Sequence, residues 1–175
     1  AGGLLAGDVD TITFTGSGTK HWSLPFDTIL TARGSFAVVD SHGGDDDLPI
    51  FERQFLGGAR DLRGFQFRDI GPRDATGPNA TQEVLGGATS VFGSLEFTFP
   101  VIGQVRGAVF YDVGFVNSDS WDFNTGRLAS DVGIGVRLNL PGIGPLAVDF
   151  AVPVETPDDQ ADDGSQIQFY MDYQF

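Results

Sequence analysis

Asp131-Val132-Gly133-Ile134-Gly135-Val136-Arg137-Leu138-Asn139-Leu140 separates into two rows. Val132, Ile134, Val136, Leu138 and Leu140 make one; Asp131, Gly133, Gly135, Arg137 and Asn139 make the other. Successive side chains of a strand point to opposite faces, so a period of two marks a strand with one apolar and one polar face. A water-soluble sandwich reads this way with the apolar face inward. A membrane barrel reads this way with the apolar face toward lipid and the polar face toward the lumen. The sequence on either side of this stretch decides between them.

The same period recurs along the chain. In residues 166–175, Ile167, Phe169, Met171, Tyr173 and Phe175 oppose Gln166, Gln168, Tyr170, Asp172 and Gln174. Upstream, Val91, Leu95, Phe97 and Phe99 oppose Ser94, Glu96 and Thr98. Seven strands are expected, over residues 8–24, 28–39, 82–99, 105–116, 131–140, 146–154 and 166–175. The first is rich in Thr and its facing stays open, and residues 1–7 could hold an eighth strand.

Three features favour the barrel. The connections alternate in length: 25–27, 100–104 and 141–144 are tight, whereas 40–81, 117–130 and 155–165 are long. Outer-membrane barrels have short periplasmic turns and long outer loops. Charge follows the same division, because Asp45-Asp46-Asp47 and the pairs Asp158-Asp159 and Asp162-Asp163 all fall in long connections. Trp22, Phe26, Phe97, Phe99, Tyr173 and Phe175 gather beside the short turns, as an aromatic girdle at one membrane interface would.

Composition agrees. The chain has 175 residues, enough for one domain, with 25 Gly, 16 Phe and no Cys. No run reaches the roughly 18 apolar residues of a membrane helix. A net charge of −14 excludes a nucleic-acid partner, whose phosphates need a basic surface. Without Cys there are no disulfides and no thiolate metal sites. Thr15-Gly16-Ser17-Gly18-Thr19-Lys20 lacks the phosphate-loop spacing. His21 and His42 stand too far apart for a metal, and Asp45–Asp47 lack calcium-loop spacing. No catalytic constellation, metal or cofactor is expected, and the protein is not read as an enzyme.

The loop over residues 40–81 is long for a segment without regular structure, and such loops are usually functional. It contains Phe51-Glu52-Arg53-Gln54-Phe55-Leu56-Gly57-Gly58-Ala59-Arg60-Asp61 and then Leu62-Arg63-Gly64-Phe65. An arginine in such a segment needs carboxylates to meet it. Glu96 and Asp112 lie on the polar rows of the strands that follow.

At these residues the chain resembles the C-terminal barrel portion of the BamA-type family of outer-membrane β-barrel assembly factors, also called bacterial surface antigens. The likeness rests on Phe55-Leu56-Gly57-Gly58, Leu62-Arg63-Gly64-Phe65, Ile70-Gly71-Pro72-Arg73, Ser94-Leu95-Glu96-Phe97, Phe110-Tyr111-Asp112-Val113-Gly114 and Gly133-Ile134-Gly135-Val136-Arg137. It implies an all-β, antiparallel transmembrane barrel portion of about seven or eight strands with the long loop folded into the lumen. Residues 1–175 would be the C-terminal part of the barrel domain. Arg63 would be the tip arginine, held by Glu96 and Asp112 on the lumen wall. Gly64 would let the tip turn tightly, with φ above zero, and Phe65 would pack it down. The resemblance also implies a terminal-strand signal made by Gln168, Tyr173 and Phe175, with Tyr170 departing from the usual Gly.

One distance sets a limit. With the turn centred near Ile102, Glu96 would pair with Ala108, leaving Asp112 four residues further on, roughly 13 Å away along the strand. One guanidinium then bonds both only if tilt or coil brings them together, and at least one tight contact is expected.

Single-chain bacterial barrels have even strand numbers. Seven strands therefore point to part of a longer barrel, which by resemblance follows periplasmic repeats of the POTRA type. The implied location is the bacterial outer membrane, and the implied function is insertion of other barrel proteins by opening a lateral seam and templating strands. The implied partners are membrane lipid, the remaining barrel or another strand-donating chain at the open edges, client outer-membrane proteins and periplasmic accessory lipoproteins. A polypeptide-secreting transporter of the same superfamily and a small structural barrel are the alternatives.

Overall fold

A computed structural model describes residues 11–41, 48–74, 83–140, 144–158, 160 and 164–171. Seven strands form one antiparallel sheet in sequential order: β1 Thr11–Leu24, β2 Thr28–Ser41, β3 Thr89–Ile102, β4 Val105–Asn117, β5 Ala129–Leu140, β6 Gly144–Glu155 and β7 Gln166–Met171. Among the described residues β1 and β7 are each paired on one side only. Tyr173 and Phe175 lie outside the described residues.

Alternation decides which way each strand faces. Val132, Ile134 and Val136 of β5, Val148, Phe150 and Val152 of β6, and Ile167, Phe169 and Met171 of β7 all lie exposed on one side. Ile134 and Phe169 are each 61% exposed, where a sandwich would bury them. On the opposite side Phe110, Asp112, Asp131, Ala147, Asp149 and Ala151 are buried. The sheet is thus apolar outward and polar inward, and its packing lies on the inward face, beneath the long loop. The registers extend this sense to β1, where Thr13, Thr15, Ser17 and Thr19 share the inward row with their partners Val39, Ala37, Ser35 and Arg33. Lys20 falls on the outward row two residues from Trp22, where its long stem can carry the amine to the interface.

Small residues sit where rings cross between strands. Phe36 lies over Gly16, Phe99 over Gly107 and Phe110 over Gly133, in each case its pairing partner on the next strand. A Cβ at any of these glycines would occupy the ring's place. Such cross-strand pairs stabilise a sheet that has no second layer behind it.

Two expectations are corrected. The third strand begins at Thr89, not at residue 82. Residues 83–88 instead serve the loop, through isolated bridges between Arg73 and Val84 and between Gln54 and Gly87. Gly86 there has φ +73, outside the extended region, so the regular ladder does not run on upstream; Gly87 passes so close to the Asn117 carbonyl that no side chain fits. The β3–β4 register also differs: Glu96 pairs with Phe110, and Ala108 with Thr98. The hairpin closes at Ile102 and Val105 with an irregular step between Pro100 and Ile102. Proline has no amide hydrogen to keep a regular ladder there. The step places Asp112 opposite Ser94, two residues from Glu96 and roughly 7 Å along the sheet.

Candidate functional site: the arginine clamp in the lumen

The long loop enters the lumen as a narrow tongue. Leu56 and Ile70 exchange backbone hydrogen bonds at 3.0 Å each and close its base. Gly57 and Gly58, with φ +108 and +106, turn the chain inside that closure. Few residues other than glycine adopt those angles, and a Cβ on Gly57 would also strike the Gln66 carbonyl. Gly58 N–H donates to the Leu62 carbonyl (3.1 Å), and Phe65 N–H to the same oxygen (3.2 Å). The Arg68 guanidinium lies over the Phe55 ring, 4.0 Å from its centre.

Leu62-Arg63-Gly64-Phe65 forms the tip. Leu62 and Phe65 bury themselves with Leu56, Ile70, Phe92, Val116 and Ala129. This is the principal apolar cluster of the described residues, and it joins the loop to β3, β4 and the start of β5.

Arg63 lies at the centre and is 1% exposed. Its Nε donates to Asp112 Oδ2 at 2.7 Å and its Nη2 to Asp112 Oδ1 at 3.0 Å, a bidentate pair. Nη1 donates to Glu96 Oε2 at 2.7 Å and to Asp149 Oδ2 at 3.1 Å. The Phe110 ring supports the guanidinium face, 3.4 Å from its carbon. The shifted register is what lets one guanidinium reach both Glu96 and Asp112. Arginine suits this place because its planar fork presents several donors in fixed directions.

A second guanidinium shares the same carboxylates. Arg137 of β5 donates from Nη2 to Glu96 Oε2 at 2.7 Å and to Asp149 Oδ2 at 3.1 Å, and from Nη1 to Asp149 Oδ1. Its guanidinium also approaches the Tyr170 ring, 5.9 Å from the centre. The clamp therefore spans β3 to β6. Burial pulls the Arg63 pKa downward, but the hydrogen bonds and charge of Asp112, and then Glu96, outweigh it, so the cation is held above its ordinary range. Asp61, on the same tongue, is pushed above its ordinary 3.8, chiefly by burial and partly by Asp112, against the lowering charges of Arg33 and Arg60.

Gly64 is not among the positive-φ residues. Its requirement is space: an added Cβ would lie 2.5 Å from Asp131 Cβ and 3.2 Å from the Pro153 nitrogen. The tip backbone thus rests directly on β5 and β6. Gln168 of β7 turns inward, and its Nε2 donates to the carbonyls of Phe65 (3.2 Å) and Arg63 (3.4 Å). Further out, Asp69 binds Arg73 and Gln160, both at 2.6 Å, and Arg127 donates to the Gly71 carbonyl at 3.2 Å. These contacts tie the tongue to the neighbouring loops.

The parts that Arg137, Asp149, Phe110 and Gln168 play in holding the loop were not assigned from the sequence. A signal was present for Arg137, Asp149 and Gln168, polar residues that alternate with outward apolar ones. Chemically the arrangement is an ion-paired clamp. It holds a loop against a wall, and among the described residues no group of His, Cys, Asp and Glu is placed to hold a metal.

A model of the Omp85 superfamily domain matches residues 1–175. The chain is 29% identical over 174 residues to outer membrane protein assembly factor BamA of Nitratidesulfovibrio vulgaris, covering 97% of this chain and 21% of that protein. It is 26% identical over 175 residues to a SAM50-like protein of Drosophila melanogaster, covering 98% of this chain and 38% of that one. The crystal structure of BamA from Haemophilus ducreyi lacking POTRA domains 1-3 shares the fold, with TM-score 0.70 and 24% identity over 91% of this chain and 35% of that chain. The chain thus spans well under half the length of each of these relatives. It belongs to the Omp85 superfamily, as a BamA-type barrel portion of the bacterial outer membrane.

Proposed function

We propose that the chain is the C-terminal part of a barrel that inserts other β-barrel proteins into the outer membrane. The observation that carries this reading is the outward-apolar, inward-polar sheet, whose edge strands among the described residues are β1 and β7. Backbone groups left unpaired in hydrocarbon cost several kcal/mol each, so each edge must receive a strand. At β1 that strand belongs to the remaining barrel. At β7 the seam opens, and an incoming client strand adds to the exposed edge by main-chain hydrogen bonding. No catalytic group is needed, since the free energy comes from strand pairing and lipid burial. The Arg63 clamp keeps β3 to β6 rigid while the β7 edge exchanges partners. Client outer-membrane proteins, lipid and periplasmic accessory lipoproteins are the partners of this reading.

The test is a reversible disulfide joining β7 to its barrel neighbour in the longer protein. Insertion of a client barrel into proteoliposomes should fall to background in the oxidised protein and return on reduction. Undiminished insertion through a locked seam contradicts the proposal.

A further inference from the structure

The connection from β4 to β5 lies on the outside of the barrel wall. Phe14, Val38, Thr89 and Asn117 are successive pairing partners across β1 to β4 and form one row on the outward face near the long-loop end. The outward apolar residues of β5 to β7 from Val132 onward are exposed or half-buried, yet Val38 and Thr89 are 0% and Asn117 3% exposed. Residues 118–124 cover them. Asn117 Nδ2 donates to the carbonyls of Asp122 (2.9 Å) and Asn124 (2.8 Å), and Thr89 Oγ1 to that of Asp119 (2.9 Å). The segment thus runs back across the strand ends and finishes with the Trp121 ring against Phe14, centres 5.4 Å apart.

Trp121 has φ +61, a region that bulky residues seldom enter. The unusual backbone turns the indole onto the outward face of β1, where it stays 49% exposed beside Phe123 at 50%. Depth fits an interface. Trp22 and Phe14 lie on the same outward row of β1, eight residues apart, or about 26 Å at ~3.3 Å per residue. Strand tilt of ~40° reduces the height to about 20 Å, close to the ~25 Å apolar band of such barrels. Trp22 marks the short-turn rim of that band and Trp121 the opposite rim.

We infer that residues 118–124 form a lipid-interface strap, with Trp121 seated on Phe14 at the headgroup boundary of the outer leaflet. The occupant of this surface is lipid, because the strap lies on the outward face, whose exposed side chains are apolar from β5 to β7, and its indole joins an apolar body to a polar N–H. That combination favours the membrane–water boundary.

The full protein is reconstituted in phosphatidylcholine/phosphatidylglycerol vesicles whose chains carry bromine near the glycerol end or near the methyl end. The Trp121 share of emission is the difference between the parent and Trp121→Phe. It should be quenched at least about twofold more by glycerol-end than by methyl-end bromine, as for a headgroup-level indole, and respond weakly to aqueous acrylamide. Phe14→Ala, made in parallel, should reduce lipid quenching and raise acrylamide quenching. Strong acrylamide quenching with no response to brominated lipid overturns the inference, and so does shielding from both quenchers, which would mean a protein covers the strap. If Trp121→Phe fails to assemble, a variant with every other tryptophan replaced by phenylalanine reports the same contact through its single 5-fluorotryptophan resonance, and a signal unbroadened by spin-labelled lipid overturns the inference equally.

Discussion

Glu96 Oε2 accepts from two guanidiniums at once, Arg63 Nη1 and Arg137 Nη2, each at 2.7 Å. One carboxylate thereby ties the loop tip to β5 as well as to its own strand β3. The loop is held by a network, and losing Arg63 leaves buried Asp112 without its guanidinium while Glu96 and Asp149 keep Arg137.

Arg63→Ala should be the most damaging single change. It leaves Asp112, 0% exposed, without its guanidinium, and Glu96 and Asp149 with Arg137 alone. Breaking a buried pair from one side costs about 3–5 kcal/mol. The tongue should detach and become protease-sensitive in membranes while the sheet persists. Arg63→Lys should protect only partly, because an ammonium cannot reproduce the bidentate bond to Asp112.

Gly64→Ala should release the loop with every charge intact, because the new methyl would press into Asp131 and the backbone of Pro153. The change is therefore steric. Asp131→Gly, which removes the nearest side-chain atoms, should restore part of the protection in the double variant. Proteolysis rates of the four proteins form a cycle, and strict additivity would place the defect elsewhere.

Much of the architecture was legible because alternation, loop length and aromatic placement all followed one barrel geometry. The facing of β1 was not, since Thr and Ser suit either side and only its pairing with β2 settles it. The β3–β4 register was misplaced because the hairpin turns at Gly103 and Gln104, beyond the expected centre at Ile102, and the irregular step near Pro100 offsets only one residue of that displacement. At the site, Arg63, Glu96 and Asp112 could be named, whereas Asp149 and Arg137 could not. Their polar rows were visible, but nothing in one sequence says which lumen charges converge on the same guanidinium. Gln168 pointed inward by alternation and was read only as part of a terminal signal.

Gln168→Ala should weaken the hold of the loop on β7 alone. Two backbone carbonyls lose their donor, a loss of about 0.5–1.5 kcal/mol for a typical hydrogen bond. Hydrogen exchange at Arg63 to Phe65 should rise moderately with the Arg63 ion pairs retained. Exchange equal to that of Arg63→Ala would show that Gln168 is part of the clamp itself.

Loop docking should weaken as the solution is made less acidic. The docked state raises the Asp61 pKa, so it binds the Asp61 proton more tightly than the released state does. Stability from this group is full below the ordinary 3.8 and is lost as pH climbs through the raised value. Asp61→Asn should flatten that part of the pH profile of loop protection and make docking firmer at neutral pH. An unchanged profile would exclude Asp61 as its source.

The most direct measurement compares two neighbouring β6 positions in intact outer membranes, in the longer protein kept free of other cysteines. Ala151 is fully buried on the inward row and Val152 is 41% exposed on the outward row. With cysteine at position 151, a water-soluble maleimide should not label while the loop is docked and should label readily after Arg63→Ala. With cysteine at position 152 it should fail in both backgrounds, because hydrocarbon covers that row. Labelling at 152 from water, together with silence at 151 whether or not Arg63 is present, would contradict both the outward apolar face and the docked loop.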